Sequence, residues 1–89
     1  MTTTPIHNLT DVWNDGATTF NAFKMNVTDT ASVDASKLFL LQVGGVDKVA
    51  IDKDGAFQDS LFALADNADR TKKVQFQVSG VTTGTTRTL

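Results

Sequence analysis

Cysteine is absent from this sequence, so disulfides and cysteine-based zinc sites are excluded as stabilisers. Glutamate is absent too, and all ten acidic residues are aspartate. Asp caps and bends chains where Glu favours helix interiors, so little helix is expected. There is one proline, one tryptophan, one histidine and no tyrosine. No apolar run approaches the length of a membrane span. The opening MTTTPIHNLT lacks the positive start and long apolar core of a signal peptide, and the reading is a protein made soluble in the cell that produces it. A net charge of −2 gives no general attraction for nucleic acid or acidic membranes.

What is abundant is threonine, fourteen residues among 89, which suits a pleated, half-buried surface. The chain makes at most one domain, near the size at which a single core supplies only a few kcal/mol of net stability. Oligomerisation is therefore expected.

The organising stretch is Lys37 to Phe57, KLFLLQVGGVDKVAIDKDGAF. Two strand-like runs meet at Gly44-Gly45, a two-residue loop able to adopt the positive φ of the primed turns. An unbroken ladder from that turn pairs Val43 with Val46, Leu40 with Val49, Leu38 with Ile51 and Lys37 with Asp52. One face then carries Leu38, Leu40, Val49 and Ile51. The other carries Phe39, Leu41, Val43, Val46 and Ala50, interrupted by Lys48. Both faces need cover, since a lone hairpin is at best marginal in water. Asp52-Lys53-Asp54-Gly55 reads as a turn, followed by a short strand starting at Ala56-Phe57.

Around this hairpin the sequence predicts further β-structure. Residues 1 to 13 form an extended arm, with a short helical turn possible before Asn14-Asp15-Gly16. Trp13 either closes one end of the core or anchors a partner. Residues 18–27 alternate, with Phe23, Met25 and Val27 on one side, as in a half-buried strand. Residues 28–36 read as a loop. Residues 59–68 fit a short helix or a strand, and the strand is preferred because too few residues lie between cap and turn. Residues 72–78 alternate strictly, with Val74, Phe76 and Val78 inward. The closing TTRTL is strand-like without a cap or turn, which predicts a segment cut from a longer polypeptide. The division expected is an arm over 1–13, a β-hairpin module over 14–58 and a second β module over 59–89.

Two stretches carry a resemblance. DVWNDGATTFNAFKMNVTDTAS, continuing through SKLFLLQVGGVDKVAIDKDGAF, resembles a module of tail-fibre and other fibre-like structural proteins of tailed bacteriophages. LADNADRTKKVQFQVSGVTTGTTRTL resembles a second module of the same proteins, without the Val-Pro-Asp type extension that usually follows. The likeness spans Asp11 to Leu89. It implies an all-β, intertwined homotrimeric fibre segment with an extended N-terminal arm, a virion component made in the host bacterial cytoplasm. Leu38, Leu40, Val49 and Ile51, with Phe57, are the expected threefold interface, Phe39, Leu41 and Val43 being the alternative face. Full burial of one such side chain is worth about 1.5–3 kcal/mol. Pro5, Ile6, Leu9, Val12 and Trp13 are the expected attachment to other virion proteins, whether tail, adaptor or capsid. A head-fibre or decoration protein, a host-glycan-binding module and a tailspike hydrolase fragment are the rival readings.

The chemistry-bearing residues point to no reaction or cofactor. Aligned on Gly55, a calcium loop would need ligands at Ala50 and Leu61, neither of which can serve. His7 stands alone in the arm, and one imidazole makes a poor metal site. The aspartates fall at turns, and no pair is placed for glycoside hydrolysis. Arg70, Lys72 and Lys73 beside Phe76 read as a solvated strand face rather than a nucleic-acid surface. No enzymatic activity, cofactor, nucleic acid or membrane partner is expected.

Overall fold

The computed structural model describes residues 3–89; Met1 and Thr2, the start of the expected arm, lie outside the described residues. Four strands, all in antiparallel pairs, form two separate two-stranded sheets: β1 (Lys37–Val43) with β2 (Val46–Asp52), and β3 (Ala63–Ala65) with β4 (Lys73–Gln75). Among the described residues one 3₁₀ turn, Asp59–Leu61, lies between the sheets in the chain. Among the described residues no helix is long and apolar enough to cross a membrane. All-β architecture is thus what the Asp- and Thr-rich composition builds.

The glycine turn forms as its chemistry dictates. Gly44 and Gly45 adopt φ of 58° and 81°, the left-handed conformations that a two-residue hairpin loop needs and that side chains resist. Val43 pairs with Val46 and Lys37 with Asp52, yet the ladder between them differs from an unbroken one. Gln42 pairs with Asp47, but Leu41 pairs with Val49, Leu40 with Ala50 and Phe39 with Ile51. Lys48 is an extra residue in β2 and Leu38 an extra residue in β1. The two bulges compensate, which is why the expected end pairs survive while the middle pairs shift.

That shift re-sorts the faces, because residues directly opposite each other share one side of the sheet. Phe39, Leu41, Val49 and Ile51 form one side. Phe57 joins them through an isolated antiparallel bridge to Ile51. Leu40 and Ala50 lie on the other. The expected quartet of Leu38, Leu40, Val49 and Ile51 therefore does not share a face. A bulge inserts one residue and so reverses the parity of everything beyond it.

Beyond β2 the chain turns at Asp52–Gly55. The Asp52 side chain accepts from the Asp54 and Ala56 amides, both at 3.0 Å, and Gly55, with φ of 88°, donates to the Asp52 carbonyl. Asp52 and Gln58 amides then bond Ala56 and Ala50 carbonyls, laying residues 56–58 along the outer edge of β2. Ala50, at the centre of this arrangement, is the one buried apolar residue among those described.

Elsewhere regular structure is sparser than the alternation predicts. Residues 18–27 belong to no strand, and neither do the final residues. A strand needs a partner edge for its amides and carbonyls, and among the described residues these segments are paired with none. At 59–68 both expectations are met in part, a 3₁₀ turn followed by three residues of strand. β4 is only three residues long, and Val74, Phe76 and Val78 remain exposed rather than inward. The helical turn before Gly16 is replaced by a turn in which the Asp15 carbonyl accepts from the Thr18 amide at 3.3 Å.

The dimensions reflect this openness. The Cα radius of gyration is 17.7 Å, against about 12 Å for a compact domain of this length. The accessible surface is 8738 Å², whereas a folded monomer of this mass exposes about 5,100 Å². The secondary structure is formed, and most of the apolar surface remains uncovered.

Candidate functional site

An exposed apolar surface is built on the first hairpin. Phe39, Leu41, Val43 and Val46 are 41%, 50%, 68% and 57% exposed, and Val49 and Ile51 are half-buried. The opposite side is different in kind. There Gln42 Nε2 donates to Asp47 Oδ1 at 2.7 Å, a polar pair beside Leu40 and Ala50. An apolar side next to a polar one is the arrangement of a surface meant to be covered on one side.

Phe57 links this side to the second hairpin. Its ring centroid lies 5.3 Å from that of Phe62, which lies 6.1 Å from that of Phe76, all three tilted at separations favourable for aromatic pairs. Hydrogen bonds fix the same junction. The Val78 amide donates to Asp59 Oδ2 at 2.9 Å, and Gln75 Nε2 donates to the carbonyls of Asp59 and Ser60 at 3.1 Å. Period-2 alternation in 72–78 places Phe76 with Val74 and Val78, but nothing in that local pattern signals its meeting with Phe62. The signal that could have found it is Asp59, an acceptor at the end of a short apolar run.

A second feature lies at the base of the first hairpin. Lys53 Nζ donates to Ser32 Oγ at 2.9 Å and to Asp29 Oδ2 and the Ser32 carbonyl at 3.3 Å, and approaches Asp34 Oδ1 at 4.0 Å. The Ser32 hydroxyl in turn donates to Asp29 Oδ2 at 3.0 Å, and the Lys53 amide to the Ser36 carbonyl at 3.1 Å. One lysine thus gathers loop 28–36 against the turn that follows β2, a role the sequence pattern does not reveal.

The arm has no regular structure over its described residues. Ile6, Leu9 and Val12 are almost fully exposed, and Pro5 is exposed beside them. Trp13 is half-exposed and stacks on Phe20, centroids 5.1 Å apart and planes at 14°. Trp13 does not close a core in the single chain. It makes a local aromatic pair with one side open.

The polar groups serve turns. The Ala17 amide at 2.9 Å and the Thr18 hydroxyl at 2.8 Å both donate to Asp15, holding its carboxyl below the ordinary aspartate range. The Thr71 hydroxyl and amide do the same for Asp69. Asp66 accepts from the amides of Ala68 and Asp69. Each carboxylate is thus committed to nearby backbone and hydroxyl donors, the use that turn-forming aspartates commonly have. Among the described residues no three His, Cys, Asp or Glu side chains converge as a metal site.

No family model matches the chain, and neither curated proteins nor solved structures provide a similar one. Geometry and sequence carry the functional argument.

Proposed function

We propose that the chain is a non-enzymatic structural protein of a bacteriophage particle, a homotrimeric segment of a tail fibre that joins a distal receptor-binding region to the virion. The observation that carries the assembly part of this reading is the surface excess. The chain exposes 8738 Å², about 3,600 Å² more than a self-sufficient monomer of its mass. A standard interface buries roughly 800 Å² per partner, so the excess is enough for extensive contacts with two neighbours. The phage assignment rests on the resemblance of residues 11–89 to fibre modules.

Within this reading the threefold axis is lined by the apolar side of the first hairpin: Phe39, Leu41, Val49 and Ile51, with Phe57. Leu40 points the other way, and Leu38 has no cross-strand partner. The arm, with Pro5, Ile6, Leu9, Val12 and Trp13, is the attachment to tail, adaptor or capsid proteins. It loses its freedom on docking, a cost suited to an anchor assembled once. The work is mechanical, with no cofactor, nucleic acid or membrane partner, and the place of action is the virion.

Light scattering on the purified chain, alongside circular dichroism, tests the reading. A β-rich species of three times the 9.6 kDa chain mass supports it. A folded monomer would remove the axis-facing assignment.

A further inference from the structure

β1 is left with one open edge. Its partner β2 is flanked on its far side by residues 56–58 through the Gln58-to-Ala50 bond, whereas β1 pairs, among the described residues, with β2 alone. The residues closing a two-residue loop exchange both their hydrogen bonds, so Val43 faces β2 with its backbone groups, and by alternation so do Leu41 and Phe39. The backbone groups of Leu40 and Gln42 therefore point to the open edge. An unpaired edge with apolar side chains is a template for another strand.

The same chain holds a strand-patterned segment that is paired with no edge. Residues 18–27 alternate with period 2, yet pair with no strand among the described residues, and Phe23 and Met25 are each 71% exposed. Ten extended residues span about 33 Å, enough to cover the roughly 23 Å of seven-residue β1. The segment leaves from the base of the hairpin, where Lys53 holds Asp29 and Ser32, and it does not fold back on its own β1. We infer that residues 18–27 of one copy add as a strand to the open edge of β1 in a neighbouring copy. The occupant is a second copy of this chain because the surface excess is several times one standard interface, and because each copy carries both an unpaired strand-patterned segment and, on its longer sheet, an open edge. Giving and receiving are then distinct surfaces, a heterologous contact that closes into a ring. The inference rests on the trimeric reading above and specifies how its chains interlock.

Amide hydrogen exchange on the unmodified chain, with mass measured in the same samples, is the first test. The Leu40 and Gln42 amides and alternate amides of 18–27 are expected to exchange at least tenfold more slowly in the trimer than unstructured amides. A trimer in which both sets exchange freely overturns strand exchange while leaving the trimeric reading intact. A monomer overturns both.

The second test identifies the occupant. Because the chain has no cysteine, single variants carrying Ala22→Cys, Lys24→Cys or Asn26→Cys can be co-assembled with Leu40→Cys or Gln42→Cys and oxidised. A disulfide-linked dimer from at least one mixed pair is expected. Trimers in which no mixed pair links overturn the inference, as does linkage of Leu40→Cys to itself, which would mean that β1 edges pair with each other. If the variants fail to assemble, the exchange data on the unmodified chain decide.

Discussion

Gln42 faces Asp47 across the first hairpin, its amide 2.7 Å from the carboxylate, while the next residue along, Leu41, faces Val49 rather than Lys48. Lys48 is therefore the residue that puts the two arms out of step with their own turn. Deleting it should leave the outer ladder in the pairing it already has, Leu41 with Val49 and Phe39 with Ile51. The expected change in stability is within about 1 kcal/mol, the range of surface changes that touch no special feature. Had the ladder been unbroken, the same deletion would turn Val49 and Ile51 to the opposite side and cost several kcal/mol. Urea unfolding of the deletion variant separates the two.

Turn geometry gives a second expectation. Gly44 and Gly45 both have positive φ, with open space where a Cβ would stand, so only backbone conformation opposes a side chain. Gly44→Asn, a residue that tolerates φ near +58°, should be nearly neutral. Gly45→Val should cost about 1–2 kcal/mol or more, since a β-branched residue is poorly accommodated in the left-handed region. Thermal unfolding of the two variants gives the contrast, and equal losses would mean that the turn is not held in this form.

Lys53 ties loop 28–36 to the hairpin base with its ammonium only partly shielded, its side chain 22% exposed and that of Asp29 38% exposed. Pairs of this kind contribute little and are screened by salt. Lys53→Met should lower stability by about 1 kcal/mol or less, with the loss shrinking above roughly 0.5 M salt. The hydrogen bond from Ser32 to Asp29 does not need the lysine, so amide exchange in 29–36 should quicken without reaching the rate of an unstructured loop.

The pH response follows from two carboxylates. The Thr71 hydroxyl and amide donate to Asp69, and the Ala17 amide and Thr18 hydroxyl to Asp15, so both groups hold their charge more firmly folded than unfolded. A depressed folded pKa stabilises above the unfolded value, near pH 4, and that stabilisation is lost as pH falls through the folded value. Loop 66–72 and the turn at 15–18 should therefore open locally below about pH 4. Carbon-detected titration should place both midpoints below the ordinary aspartate value, and Thr71→Val should return Asp69 towards it while leaving Asp15 unmoved.

The sequence makes local chemistry legible and leaves long-range phase hidden. Gly44-Gly45 and Asp52–Gly55 announce their turns because each depends on only a few residues. The bulge at Lys48 also has a trace: Val46 and Val49 are three apart where Phe39, Leu41 and Val43 are two apart, and only an extra residue lets all five share a side. Residues 18–27 show the opposite failure. Their alternation is a strand pattern, but a pattern cannot name the edge on which a strand depends, and in the single chain the segment is paired with none. The meeting of Phe62 with Phe76 and the grip of Lys53 on Ser32 join positions 14 and 21 residues apart, beyond the reach of any periodicity. The candidate surface was therefore legible in its residue types and misplaced by one position in its sides.

That one-position difference makes the proposed assembly face testable. Leu40 and Leu41 are adjacent, the same residue type, and similarly exposed in the single chain at 43% and 50%. Only Leu41 stands among Phe39, Val49 and Ile51. If that side lines the threefold axis, Leu41, half-exposed in the single chain, gains about half of a full burial on assembly, so Leu41→Ser removes about 0.75–1.5 kcal/mol from each of three chains. At 1.4 kcal/mol per tenfold, trimer formation should weaken at least about thirtyfold. Leu40→Ser, on the side of Gln42 and Asp47, should weaken it far less, within about tenfold. Sedimentation at a series of chain concentrations reads both shifts. The reverse order would restore the side carrying Leu40 as the axis, and equal small effects would place the assembly contacts away from the hairpin altogether.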